Sequence, residues 1–421
     1  MNTNATSDIR IHRLDNGFTI AMERLPYLHS ASMGIWVKTG SAAESRKEAG
    51  LAHFLEHLFF KGTKKRNVHQ IMEAIEGRGG YLNASTSREY TSLYVRMLER
   101  HVHVGIEILS DIAINSTFCQ IEKERGVILE EIASIEDTPD DLAHDLLSEF
   151  HWPDHPLGRP VSGYSDTVAI MTAKDFRRFY NMWYKPSNMV FTIAGKFNEE
   201  EVLKQVSDAF GGLTDGKVPT LNNTPRFNSG IQLVERAISQ VHIGIATPGP
   251  STMDDKRYCC NLLTGILGGG STSRLFEVIR EKEGLAYSVF AYNSSHIPTG
   301  MIGIYEAVAP DHCEKALELT FNELRTICEK KVDQDEMERS REQLKGSMLM
   351  ALENTHTRMS RMAKGLLFRG RVIPIQEIIE QIDAVTVESI QECAREYFRA
   401  DSCALVLLGP SGTYVPDAIE L

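Results

Sequence analysis

Residues 53 to 57 read His-Phe-Leu-Glu-His, and no other short stretch of the chain gathers so much chemistry. On a helix, His53 and His57 lie one turn apart on the same face, with Glu56 beside them. Two imidazoles so placed can hold one Zn²⁺, each nitrogen at about 2.0–2.1 Å. A carboxylate beside that metal can take a proton from a water the metal has made acidic. Leu51, Ala52, Phe54, Leu55, Leu58, Phe59 and Phe60 surround the three polar residues. A helix apolar nearly all round is a buried one, and buried titratable groups without partners are costly. A metal removes that cost; a satisfied pair of core histidines is the bland alternative.

A catalytic zinc takes three protein ligands and keeps a position open for water. The third ligand must come from another element. The stretch from Ile121 to Ile132 carries several carboxylates on a helical pattern. Glu124 and Glu131 are seven residues apart and share a face, while Glu130 points elsewhere and could equally be solvated. Most glutamates in such a run are surface residues.

His53-x-x-Glu56-His57, followed by Glu124-Arg125 and Glu131, resembles the M16 family of zinc peptidases, which includes pitrilysin, insulysin and the mitochondrial processing peptidases. Its His-x-x-Glu-His order is the inverse of His-Glu-x-x-His and defines the inverzincins. The resemblance implies Glu131 as the third ligand, Glu124 as a supporting carboxylate, Glu56 as general base and one zinc per chain. It extends along the chain. The segment Gly79 to Val95 has strand character at Thr86, Tyr90, Thr91, Tyr94 and Val95. It is similar to the family's edge strand, which pairs with extended substrate, and Asn83, Ala84 and Thr86 match substrate-touching positions. Arg280 and Tyr287 match an Arg/Tyr pair that the family places opposite the zinc, where both donate hydrogen bonds toward the scissile carbonyl. Asp141 and Asp145, in an acidic run with Asp137 and Asp140, match positions with which processing peptidases read an Arg before the cleavage site; a solvated acidic face is the alternative.

The composition is that of an ordinary globular chain. No apolar run approaches the ~18 residues of a membrane span. The opening Met1–Arg10 has neither a basic region nor an apolar one, so no signal peptide is read there. The 7 cysteines show no Cys-x-x-Cys spacing and look like reduced thiols, which points to a bacterial cytoplasm or, as the alternative, a mitochondrial matrix. The net charge of −12 argues against nucleic acid and suits basic peptides.

The chain repeats itself. Ala31–Val37 reads like 240–246, each a short strand leading through a loop to an apolar helix. Thr172 and Thr386 each open a helix, and Gly195 and Gly409 end strands at equal distances beyond them. The expected fold is therefore α+β: two similar α/β domains of about 200 residues, each a mixed, largely antiparallel sheet packed with helices. Boundaries are expected at 1–212 for the zinc domain, 213–228 for a turn-rich linker and 229–421 for a metal-free domain carrying the Arg/Tyr pair. In the second half the counterpart of the metal helix, Cys259 to Leu267, has no His or Glu. The Gly-rich stretch after it lacks the phosphate-loop pattern and reads as a helix end and turn.

These readings converge on a zinc endopeptidase acting on peptides or unfolded segments. Longer family members fuse two such chain-equivalents into a clamshell. The resemblance thus implies half a clamshell, completed by a homodimer in which Arg280 and Tyr287 of one subunit reach the zinc of the other. The alternative is a non-catalytic core subunit of a membrane complex, which the intact His53, Glu56, His57 and Glu131 disfavour.

Overall fold

The structure, a computed structural model, describes residues 9–221 and 224–421. The first eight residues of the segment read for a leader, and residues 222 and 223 of the expected linker, lie outside the described residues. Two sheets organise the chain. The first contains β1 (Ile9–Arg13), β2 (Thr19–Arg24), β3 (Ser30–Val37), β4 (Tyr81–Thr86), β5 (Thr91–Leu98) and β6 (Met189–Gly195), in the order β1-β2-β6-β3-β5-β4. The second contains β7 (Gly230–Glu235), β8 (Val241–Gly249), β9 (Ala286–Ser295), β10 (Gly300–Val308) and β11 (Ala404–Gly409), in the order β7-β11-β8-β10-β9. With β1 set aside the two orders coincide strand for strand. Each has one parallel pair, β2 with β6 and β7 with β11, in an otherwise antiparallel sheet. The α+β repeat is thus real. Thr172 and Thr386 cap the helices Ala173–Trp183 and Val387–Tyr397 that lead into β6 and β11.

The compact units are not collinear with the halves of the sequence. The first runs to Ile132 and adds Pro160–Leu221 and Met350–Ile373; the second takes Ala133–Arg159, Asn222–Leu349 and Pro374–Leu421. The passage at Leu221 falls within the turn-rich stretch 213–228. Residues 133–159 and 350–373, however, each belong with the opposite half.

Burial explains the exchange. β6 is buried at every residue, so both faces of its sheet must be covered. Alternate residues Ile20, Met22, Met33, Ile35, Phe191 and Ile193 face one core. Ala21, Trp36, Val190 and Ala194 face the other side, where helix Thr355–Arg369 supplies Met359, Met362, Ala363, Leu366 and Leu367. Arg358 on that helix is ion-paired to the buried Glu23 of β2 at 2.5 Å, and Thr355 shares a 2.8 Å hydrogen bond with Ser32 of β3. In the second unit, helix Pro139–His151 plays the same part. Its Ala143 packs with Tyr305, Ala307 and Leu408, and its Leu147 lies over Gly244, where a Cβ would stand only 3.2 Å away. Among the described residues, no helix is long and apolar enough to cross a membrane.

The buried carboxyl of Glu306 has no cation to compensate it among the described residues, unlike that of Glu23. Glu306 of β10 is fully buried, accepts a hydrogen bond from Thr320 on helix Cys313–Glu329, and has no partner at Oε2 among the described residues. Burial pushes its pKa from the ordinary 4.5 to about 7. The folded state holds this proton more tightly than the unfolded chain does. Its stabilising contribution is therefore complete below pH 4.5 and lost as pH rises through about 7, by up to about 3 kcal/mol. Glu306→Gln cannot titrate, so the melting temperature of the variant minus that of the wild type should climb between pH 4.5 and 8. A difference that stays flat over that range would contradict the assignment.

Candidate metal centre

The metal helix is Leu51–Phe59, and its start is held from outside. Gly50 precedes it in the left-handed region, at φ +94°, with Ser162 O at 2.5 Å from where a Cβ would sit. Only glycine fits there. No side chain of the helix caps its first turn. Instead the buried carboxylate of Glu44 accepts the Gly50 N–H at 2.9 Å and the Ala52 N–H at 2.6 Å. A carboxylate suits a helix N-terminus, where unpaired N–H groups converge. Leu51, Ala52, Phe54, Leu55, Leu58 and Phe59 are buried, leaving His53, Glu56 and His57 on one partly open face.

The second helix, Ile121–Glu136, crosses that face. Glu124, Ile128 and Ile132 are buried, Glu131 is partly exposed, and Glu130 is exposed. Arg125 ties this helix down by donating to Val168 O and Met171 O, with its guanidinium 5.8 Å from the Phe54 ring.

His53, His57 and Glu131 converge. Each offers one ligand atom, and all three atoms lie within 4.8 Å of one another. His53 Nε2 stands 3.5 Å from Glu131 Oε1, and His57 Nε2 stands 3.6 Å from Oε2. These are long for hydrogen bonds. Nitrogen and oxygen ligands about 2.0–2.1 Å from one tetrahedral metal stand about 3.3–3.4 Å apart, so the separations fit a shared zinc. Burial, and secondarily the charge of His57, hold the His53 pKa down to about 4, which leaves the neutral imidazole that ligation requires.

The outer support is uneven. On the far side of His57, Nδ1 faces Glu124 Oε2 at 3.5 Å, and Glu124 Oε1 is ion-paired to Lys61 Nζ at 2.9 Å. His53 Nδ1 is buried and makes no hydrogen bond among the described residues. Thr86, at the end of β4, donates to Glu56 Oε2 at 2.5 Å. Burial raises the Glu56 pKa and outweighs the Thr86 hydrogen bond, which acts to lower it.

The remaining expected residues take these places. β4 is indeed an edge strand. Its Ala84 is buried, and Asn83 turns its amide to Tyr81 Oη at 2.6 Å. Arg280 and Tyr287 lie together in the second unit, where Arg280 donates to Tyr287 O at 2.8 Å with its guanidinium 4.7 Å from the tyrosine ring. Tyr287 is 81% exposed. Asp141 and Asp145 also lie in the second unit, on helix Pro139–His151, rather than in the zinc domain as the expected 1–212 boundary has it. Asp141 is exposed, Asp145 partly so. Glu44 and Lys61 escaped the sequence reading, and Arg125 entered it only as half of the Glu124-Arg125 pair, with no role of its own. Lys61, four residues after His57, was the one with a legible spacing.

Glu124 lies outside the cluster of candidate ligands and faces His57 from behind, where a supporting carboxylate would stand. Glu124→Gln should weaken zinc binding by roughly 10–100-fold without unfolding the chain. Competition with a chromophoric chelator reads this directly, and an unchanged affinity would remove Glu124 from the site.

Residues 19–164 match the family profile described as insulinase (peptidase family M16), and residues 171–344 match the peptidase M16 inactive domain. An uncharacterized zinc protease of Bacillus subtilis, YmxG, is 35% identical over 407 residues, which is 96% of this chain and 99% of that protein. An uncharacterized zinc protease of Streptomyces coelicolor is 37% identical over 398 residues, 92% of this chain and 87% of its own. Among solved structures, a protease from Helicobacter pylori superposes with a TM-score of 0.91 at 21% identity, covering 96% of this chain and all of that one. A peptidase M16 inactive domain from Pseudomonas fluorescens superposes at 0.90 with 18% identity, over 97% and 99%. The chain belongs to the M16 family of peptidases.

Proposed function

We propose that this chain is a zinc-dependent endopeptidase. One observation carries the reading: His53, His57 and Glu131 from two helices converge at zinc-ligand spacing, with Glu56 on the same face. The names of the bacterial relatives, zinc proteases, agree with it. When bound, zinc supplies a Lewis acid that brings the acidity of water toward neutral pH. Glu56 accepts the proton of the attacking water and later delivers it to the leaving amine, with Thr86 holding its carboxylate in place. Extended substrate adds to the free edge of β4.

Arg280 and Tyr287 steady the scissile carbonyl from a second copy of the chain, in an isologous homodimer with two composite sites. Asp141 and Asp145 select an Arg before the cleavage site. All 7 cysteines are free, which suits a reducing compartment such as the bacterial cytoplasm; recovery of the native protein outside that compartment would contradict this placement. A non-catalytic structural subunit is the rival reading, and the same experiments decide between them.

Glu56→Gln should keep its zinc and lose at least ~10²-fold in kcat on unfolded peptide substrates. Arg280→Ala/Tyr287→Phe should also be nearly inactive. Co-refolding the two variants restores up to about a quarter of wild-type activity if the sites are composite, because about half the dimers are mixed and each carries one intact site. Wild-type turnover by Glu56→Gln would remove it as the base; no recovery in verified mixed dimers would place the Arg/Tyr pair in cis or outside the site.

Replacing Asp141 and Asp145 together by Asn should reduce the preference for Arg-containing peptides, and added salt should mimic the change in the wild type. The same cleavage pattern before and after would leave these residues as a solvated face.

A further inference from the structure

A polar groove of about 780 Å³ lies at the N-terminal end of β4, lined by Gln70, Glu73, Gly77, Arg78, Arg100 and His101. Three cationic or potentially cationic groups meet there in a chain whose net charge is −12. Arg78 donates to Ala74 O and Arg100 donates to His101 Nε2, so both guanidiniums keep donors to spare. Neither has a carboxylate partner among the described residues, and the one acid in the groove, Glu73, faces His69 at 3.6 Å. The charges of Arg100 and Arg78 also act to lower the pKa of the partly exposed His101, after desolvation, which agrees with the three side chains lining one groove.

The position of the groove gives it meaning. Arg78 is followed by Gly79, Gly80 and then Tyr81, the first residue of β4, while Thr86 at the other end holds Glu56. An extended strand rises about 3.3 Å per residue, so the six-residue strand places the groove about 17–20 Å from the general base along the free edge. β5 already pairs with β4 in antiparallel fashion. A peptide added to the open side in the same sense would run from Thr86 toward Tyr81, with its C-terminal half directed at Arg78 and Arg100.

We infer that this groove is an anion-binding anchor for substrate. It takes a side-chain carboxylate, or the terminal carboxylate of the peptide, about five to seven residues beyond the scissile bond. The inference rests on the proposed peptidase reading and on β4 as the strand that receives substrate.

The test uses neutral peptides of one sequence with a single Glu stepped from the third to the ninth residue after the cleavage site. Their binding to the full-length Glu56→Gln chain is measured by fluorescence anisotropy, and their hydrolysis by the wild type is measured in parallel. Binding should tighten, and KM fall, at least about fivefold when Glu stands five to seven residues on, with kcat unchanged. The advantage over the neutral peptide should vanish in Arg78→Gln/Arg100→Gln and shrink in high salt. Equal binding at every position of Glu, or the same advantage in the double variant, overturns the anchor. Register-dependent binding with no hydrolysis would instead sustain the anchor and overturn the peptidase reading.

Discussion

An apolar helix that carries three titratable side chains into a protein core has to be compensated, and much of the first unit is arranged around that constraint. Leu51–Phe59 buries six apolar residues and leaves His53, Glu56 and His57 on one face. Glu44 holds the start of the helix, helix Ile121–Glu136 brings Glu124 and Glu131 to its open face, and Thr86 reaches Glu56 from the sheet. Lys61 then balances Glu124, whose side chain is only 3% exposed and would otherwise be a costly lone charge. Helix, sheet edge and neighbouring carboxylates are therefore parts of one arrangement, in which partly buried ionisable groups face one another across a gap of 3.5–3.6 Å.

The repeat shows what is left when that constraint is lifted. The second sheet keeps the strand order and the single parallel pair of the first. Its counterpart of the metal helix, Lys256–Gly268, buries Cys259, Cys260, Leu262 and Leu263 and carries no His. This unit leaves Arg280 partly exposed just before its own edge strand, β9, and exposes Tyr287 as the second residue of that strand. The exchanged helices Pro139–His151 and Thr355–Arg369 each cover a sheet face, so neither sheet is closed by residues of its own half alone.

Local signals made most of this legible in the sequence. The i, i+4 histidines, the seven-residue spacing of Glu124 and Glu131, and the capping threonines Thr172 and Thr386 all act within a few turns of helix, and all three appear as read. The exchange of helices was not legible, because a helix of mixed polarity such as Pro139–His151 carries no mark of which sheet it will cover. Glu44 was missed for a similar reason. Its partners are backbone N–H groups six and eight residues on, brought near by a turn at Gly50 rather than by any periodicity. Glu306 reads as one polar residue in a strand, and only the packing of Thr320 above it reveals a fully buried carboxyl.

The central claim is that His53, His57 and Glu131 form one metal site with a place left for water. X-ray absorption at the zinc edge on the purified chain tests it most directly. The account predicts one zinc per chain, two imidazole nitrogens and carboxylate or water oxygens at about 2.0–2.1 Å, and no sulfur ligand. Loss of one imidazole from that first coordination sphere should follow His57→Ala. A zinc–sulfur distance near 2.3 Å, or a spectrum unmoved by that substitution, would contradict the account.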